Sequence, residues 1–174
     1  MKKVESLHSL AFLLKRSGVV ALNECTLNTL DALAGFNNLR KVQLSYCCGA
    51  FTLDPLLTCP NLIDVEVTYC PAVSSLEVFR RLWNLKEISV ADRAITSLDF
   101  LKDCTLLEGV SVRRCKNFTS LAGLSGLSNL KRVDASSSGV QSIELLSGCV
   151  ALEYVDVSGC ENLASIIALS GLPN

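Results

Sequence analysis

The pattern L-x-x-L-x-L-x-x-C-x-L recurs seven times in this 174-residue chain. Aligned on its first residue, it starts at Ser17, Leu39, Leu62, Leu85, Leu107, Leu130 and Leu152, in steps of 22 or 23 residues. Position four holds Val20, Val42, Val65, Ile88, Val110, Val133 and Val155. Position six holds Leu22, Leu44, Val67, Val90, Val112, Ala135 and Val157. Position nine holds Cys25, Cys47, Cys70, Arg93, Cys115, Ser138 and Cys160. A last apolar slot follows at Leu27, Phe51, Val73, Ile95, Phe118, Val140 and Leu163, with a residue or two of play. One such unit cannot bury its apolar side alone, whereas stacked neighbours can. A register kept over seven copies therefore implies a one-dimensional stack of coils around a continuous core.

Positions four and six are two apart, so they share one side of a strand. Val or Ile fills position four throughout, which suits a pleated surface. A second apolar group follows each strand with a spacing of three, as in Leu30–Leu33–Phe36, Leu98–Leu101–Cys104 and Leu121–Leu124–Leu127. That spacing predicts a short 3-10 or single-turn helical return on the convex side. Thr29, Ser75, Ser97, Ser120, Ser142 and Ser165 precede these turns as caps would. Asn38, Asn61, Asn84 and Asn129 precede the next leucine, where a turn closes the coil.

On these residues the chain resembles the leucine-rich repeat superfamily, from Ser17 to its end. The repeat length and the S-L-x-x-L segments are similar to short-repeat proteins of the internalin type. The ladder cysteine is similar to the longer repeats of ubiquitin-ligase receptors, and some protozoan repeat proteins combine both features. The resemblance implies an α/β fold: a curved horseshoe solenoid with a parallel β-sheet on its concave face and short helical or 3-10 returns on its convex face. Residues 1–16, with Leu7, Leu10, Leu13 and Leu14, read as a capping segment or partial repeat, and residues 17–174 as the seven repeats. By the period, position 175 would open an eighth copy, so the solenoid is expected to continue beyond 174 or to be covered there by a partner.

Eight of the nine cysteines fall in periodic slots: five in the ladder, and Cys59, Cys104 and Cys149 three residues before a repeat start. At that second slot other copies carry Phe36, Leu82, Leu127 or Leu172, so the thiols read as small buried hydrophobes. An odd cysteine count without a secretory signal argues against disulfides. The absence of a C-x-x-C pair and the single His8 argue against zinc, and no cofactor is expected. Cys48 alone falls outside the pattern, as the one candidate reactive thiol.

Net charge is −1, which argues against nucleic acid or an anionic membrane as a charge-driven partner. No run of 18 apolar residues predicts membrane insertion. Glu5, His8, Lys15 and Arg16 interrupt any signal-peptide core, so a cytoplasmic location is expected. No glycine-rich phosphate loop or catalytic carboxylate pair is present, so enzyme activity is not expected.

Binding is expected on the outward side of the strands, at positions three, five, seven and eight. Seven strands at about 4.8 Å spacing offer a face roughly 29 Å across. Tyr46 and Tyr69 share a column in consecutive repeats, as aromatic anchors would. Asp64, Glu66, Glu87 and Asp92 form an expected acidic patch, and Arg113, Arg114 and Arg132 a basic one. Tyr154, Asp134 and Asp156 complete the candidate surface. Arg93, replacing a ladder cysteine, is expected to reach solvent or pair with Asp92 or Asp64. The reading is a non-enzymatic protein-protein interaction module, a scaffold or adaptor within a larger chain or complex. The alternatives are the substrate-recognition portion of a ubiquitin ligase, or a structural component of a cytoskeletal or axonemal assembly.

Overall fold

The computed structural model of the chain describes residues 2–3, 18–71, 73, 75–91 and 95–170. Residues 4–16 of the expected capping segment, His8 among them, and Asp92, Arg93 and the last four residues lie outside the described residues. Each repeat contributes one strand to a parallel sheet: β2 (Val19–Asn23), β4 (Lys41–Ser45), β5 (Asp64–Thr68), β6 (Glu87–Ala91), β7 (Gly109–Ser111), β8 (Arg132–Asp134) and β9 (Tyr154–Asp156). They pair in chain order, so every neighbour in the sheet is the neighbouring repeat. Two short strands, β1 (Lys2–Lys3) and β3 (Cys25–Thr26), pair separately. The sheet register is the register of the sequence pattern. Val19, Lys41, Asp64, Glu87, Gly109, Arg132 and Tyr154, all at position three, lie side by side.

Seven 3-10 turns form the returns among the described residues: Asp31–Leu33, Asp54–Thr58, Glu77–Arg81, Asp99–Leu101, Ala122–Leu124, Glu144–Gly148 and Ile167–Leu169. The six Ser and Thr residues expected as caps each accept the backbone N–H two residues on, from Asp31 N to Thr29 Oγ1 at 3.0 Å through Ile167 N to Ser165 Oγ at 3.1 Å. The hydroxyl thus satisfies a donor that a turn this short leaves orphaned.

The core runs along the stack between sheet and returns. Position four is fully buried or nearly so in the first six coils, from Val20 to Val133. So are the return triplets Leu30–Leu33–Phe36, Leu98–Leu101–Cys104 and Leu121–Leu124–Leu127. Coil seven departs from this. Val155 and Val157 are only partly buried, and Ile166 is 61% exposed where its equivalent Ile143 is fully buried.

Three polar ladders tie coil to coil. Ladder thiols donate to the position-six carbonyl of the preceding coil: Cys47 to Leu22, Cys70 to Leu44, Cys115 to Val90 and Cys160 to Ala135, at 3.1–3.5 Å. The second cysteine column does the same on the return side, where Cys59, Cys104 and Cys149 donate to Leu33, Phe79 and Leu124. The expectation of mere hydrophobes therefore understates these thiols: they are buried and also bridge coils. The turn asparagines form the third ladder, with Asn61, Asn84 and Asn129 each donating its side-chain amide to a carbonyl of the preceding coil at 2.7–2.9 Å. Ser138 substitutes for cysteine without leaving a gap: its buried hydroxyl lies 3.5 Å from Cys160 Sγ and accepts the Val140 N–H. All nine cysteines are free thiols.

Candidate functional site: the concave sheet face

Position eight, just past each strand, adopts a left-handed backbone in every described copy. Glu24, Tyr46, Tyr69, Arg114 and Ser137 have φ between 52° and 64°, and Gly159 has φ 67°. The cause lies in the stacking. The chain must turn sharply off the strand while its N–H still reaches the next coil. Glu24, Tyr46, Tyr69, Arg114 and Ser137 all donate to the position-seven carbonyl of the following repeat, at 2.6–2.9 Å. For a residue other than glycine this conformation costs roughly 1–2 kcal/mol, and a bulky side chain there is an outlier.

Two of these strained positions carry tyrosines. The rings of Tyr46 and Tyr69 stack with centroids 4.9 Å apart and planes 15° from parallel. Tyr46 is 55% exposed. The column expected from the sequence is therefore a stacked pair. Arg114 lies beside it: interaction with the Tyr69 hydroxyl, and more weakly with Tyr46, pushes the guanidinium pKa upward. An arginine assigned to a separate basic patch thus belongs to the aromatic pair.

The charged columns are also paired across coils. Lys41 Nζ lies 2.7 Å from Asp64 Oδ2, and Gln43 Nε2 donates to Glu66 Oε2 at 2.9 Å. Arg132 of coil six reaches over β7 to Glu87 of coil four. Gly109 makes that reach possible, because a Cβ on it would lie 1.9 Å from the Glu87 carboxylate. Burial raises the Glu87 pKa above its ordinary value, and Arg132 partly opposes the shift. Glu87 of the expected acidic patch and Arg132 of the expected basic one are thus joined in an ion pair, and the two patches meet there. Asp134 accepts from Ser136 N–H and Oγ at 3.0 and 2.6 Å and from Ser111 Oγ at 3.4 Å. Asp156 accepts from the Ser158 N–H and from Tyr154 Oη, and its pKa is lowered first by the Ser158 hydroxyl, then by the Ser158 N–H and Tyr154. Arg113 is exposed at position seven.

A hollow of about 320 Å³ opens in the middle of this face, over β5 to β8. Sequence reasoning missed it, because its depth comes from the small residues Ser89, Gly109 and Ser111 standing between larger neighbours. A second cavity, of about 300 Å³, lies on the return side between coils three and four, lined by Val67, Cys70, Leu76, Ile95 and Phe100. The Ser75 and Ser97 hydroxyls at its rim are already engaged in capping turns. Among the described residues no group of three or more His, Cys, Asp or Glu side chains is placed to hold a metal. None of the described helices is long and apolar enough to cross a membrane.

On a flank, Glu108 bridges two lysines, with Lys86 Nζ at 2.7 Å and Lys131 Nζ at 2.8 Å. Their hydrogen bonds hold its carboxyl down at about 2. The alternation Lys86, Glu108, Lys131 at position two was visible in the sequence, but it carries no binding signal of its own.

An in-register parallel sheet, 3-10 returns and a cysteine ladder define a leucine-rich repeat solenoid. Solved structures share this fold. Internalin C2 from Listeria monocytogenes is similar with a TM-score of 0.78 at 20% identity, over 94% of this chain and 71% of that one. An internalin, inlF, from the same organism gives 0.70 at 16% identity, over 96% of this chain and 54% of that one. The functional domain of InlJ, also from Listeria monocytogenes and described as including a cysteine ladder, gives 0.65 at 14%, over 91% of this chain and 34% of that one. The chain thus spans about half or less of the last two. No protein-family model matches the chain, and no curated protein matches it in sequence.

Proposed function

We propose that the protein is a non-enzymatic binding module that holds a protein partner against its concave sheet face, around Tyr46, Tyr69 and Arg114. One observation carries the reading. The stacked tyrosines occupy two left-handed positions, each unfavourable by roughly 1–2 kcal/mol, against roughly 0.5–1.5 kcal/mol for the stack. Glycine would make the same backbone hydrogen bonds without strain, as Gly159 shows that the column tolerates it. The whole column shares the left-handed backbone, so what is particular to Tyr46 and Tyr69 is two large stacked rings where smaller side chains would serve, and this supports a recognition role. Aromatics beside an arginine are also the usual composition of binding hot spots.

The binding surface on this reading comprises Tyr46, Tyr69, Arg113 and Arg114 at the loop edge. Asp64, Glu66, Glu87, Arg132, Asp134, Tyr154 and Asp156 lie along the strands, and Asp92 belongs by sequence position to the column of Tyr46, Tyr69 and Arg114. The test is a pull-down from lysate with the wild-type protein and with Tyr46→Ala/Tyr69→Ala and Arg113→Glu/Arg114→Glu variants. Proteins retained by the wild type should be lost from both. Equal retention by both variants would sink the concave-site reading.

A further inference from the structure

The carboxylates of the central hollow are only partly neutralised from within. Its described lining carries Asp64, Glu66, Glu87 and Asp134 against Lys41 and Arg132, four negative charges against two positive, a surplus of two negative. The two ion pairs already described, Lys41–Asp64 and Arg132–Glu87, consume both cations. The surplus therefore resides on Glu66 and Asp134. Among the described residues both are hydrogen-bonded only to neutral groups: Glu66 to the Gln43 amide, and Asp134 to the Ser136 N–H and to two serine hydroxyls. Neutral donors fix the carboxylates in place without cancelling their charge.

We propose that the concave face takes a basic partner segment, which delivers a guanidinium or ammonium group to the hollow between Glu66 and Asp134. The proposal deepens the binding reading above and rests on it. Any partner that covers the face strips water from these two carboxylates, which is unfavourable unless the partner brings opposite charge. An acidic segment would meet the surplus directly, and a neutral one would leave both charges desolvated. Complementary charge turns the same burial into an attraction and selects the partner. The geometry suits a long cationic side chain. Glu66 and Asp134 stand on strands three apart, about 14 Å at the backbone. Ser89 and Ser111 between them leave the space open. Arg113 and Arg114 lie at the loop edge, outside the described lining, and do not oppose an incoming cation there.

The test is a selection of random 12-residue displayed peptides on the immobilised protein, followed by calorimetry with the enriched peptides at two salt concentrations. Arginine or lysine should be enriched. Glu66→Gln/Asp134→Asn should weaken the enriched peptide tenfold or more and flatten its salt dependence. Glu144→Gln, on the return side, should change affinity less than twofold. If the double variant melts early, the single Glu66→Gln, which keeps a polar partner for Gln43, carries the comparison. Enrichment of acidic or uncharged peptides, or unchanged affinity on neutralising the hollow, overturns the proposal. If Tyr46→Ala/Tyr69→Ala abolishes binding while neutralisation does not, the basic partner falls and the concave site stands. If neither change matters, both fall.

Discussion

At the scale of single residues, the left-handed column separates side chains kept for stability from side chains kept despite it. Ser137 has φ 56° and no ring to stack, so Ser137→Gly should relieve strain and stabilise the fold by about 0.5–1 kcal/mol. Denaturant melts measure this directly. Tyr69→Gly should gain less or lose stability, because the same relief is set against the lost stack with Tyr46. Gly109 offers the converse case. Gly109→Ala places a methyl group where the Glu87 carboxylate lies, so the carboxylate must swing away from Arg132. The expected loss is roughly 0.2–1 kcal/mol, the worth of an ion pair this exposed. Losing Arg132 removes the main influence that lowers the Glu87 pKa, and carboxyl NMR titration reads the resulting upward shift.

At the scale of elements, each coil is held to the next by polar ladders as well as by its apolar side chains. Cys115→Ala removes the thiol that reaches the Val90 carbonyl and should cost about 1–3 kcal/mol, more than its small volume implies. Burial raises the Cys70 and Cys104 thiols to about 11, which suppresses their thiolates at neutral pH. In native protein treated with iodoacetamide, the half-buried Cys48 should be alkylated first, and Cys70 and Cys104 only on unfolding, as peptide mass spectrometry would show. The strands, returns and ladders were legible in the sequence because each rests on a residue type repeated at a fixed phase. The turn hydroxyls Thr29 and Ser97 announced their hydrogen bonds for the same reason. The backbone at position eight was not legible, because Glu24, Tyr46, Arg114 and Ser137 share no left-handed signature and only Gly159 carries one. Charge columns could be read, but not their pairing. Arg132 meets Glu87 across an intervening strand only because one residue between them lacks a side chain.

At the scale of the whole molecule, the core is continuous, so a break in one coil is felt along the stack. Val110 is 3% exposed in the middle of the sheet. Val110→Asp places a charge there without a partner and should abolish the cooperative thermal transition, a loss on the order of several kcal/mol against a marginal total. A variant that melts as the wild type does would argue against a single shared core. Acid acts through two glutamates of opposite sign. Glu108 is held near 2 against an ordinary 4.5, so its stabilisation is complete above 4.5 and is lost as pH falls toward 2. Glu87 is raised, so its protonation favours the folded state, and the gain fades as pH rises through its folded value. Melting temperature should therefore decline between pH 4.5 and 2 in wild type, and less in Glu108→Gln.

The two charge bridges over coils four to six also have a mechanical consequence. Glu108 ties Lys86 to Lys131 along one flank, and Glu87 meets Arg132 on the inner surface. A stacked ribbon bends by opening or closing the gaps between adjacent turns, and these links act as struts across the same three turns. Bending there should be stiff in dilute buffer and soften as salt screens the struts. The middle of the ribbon would then hold its curvature while the outer turns flex around whatever lies in its hollow.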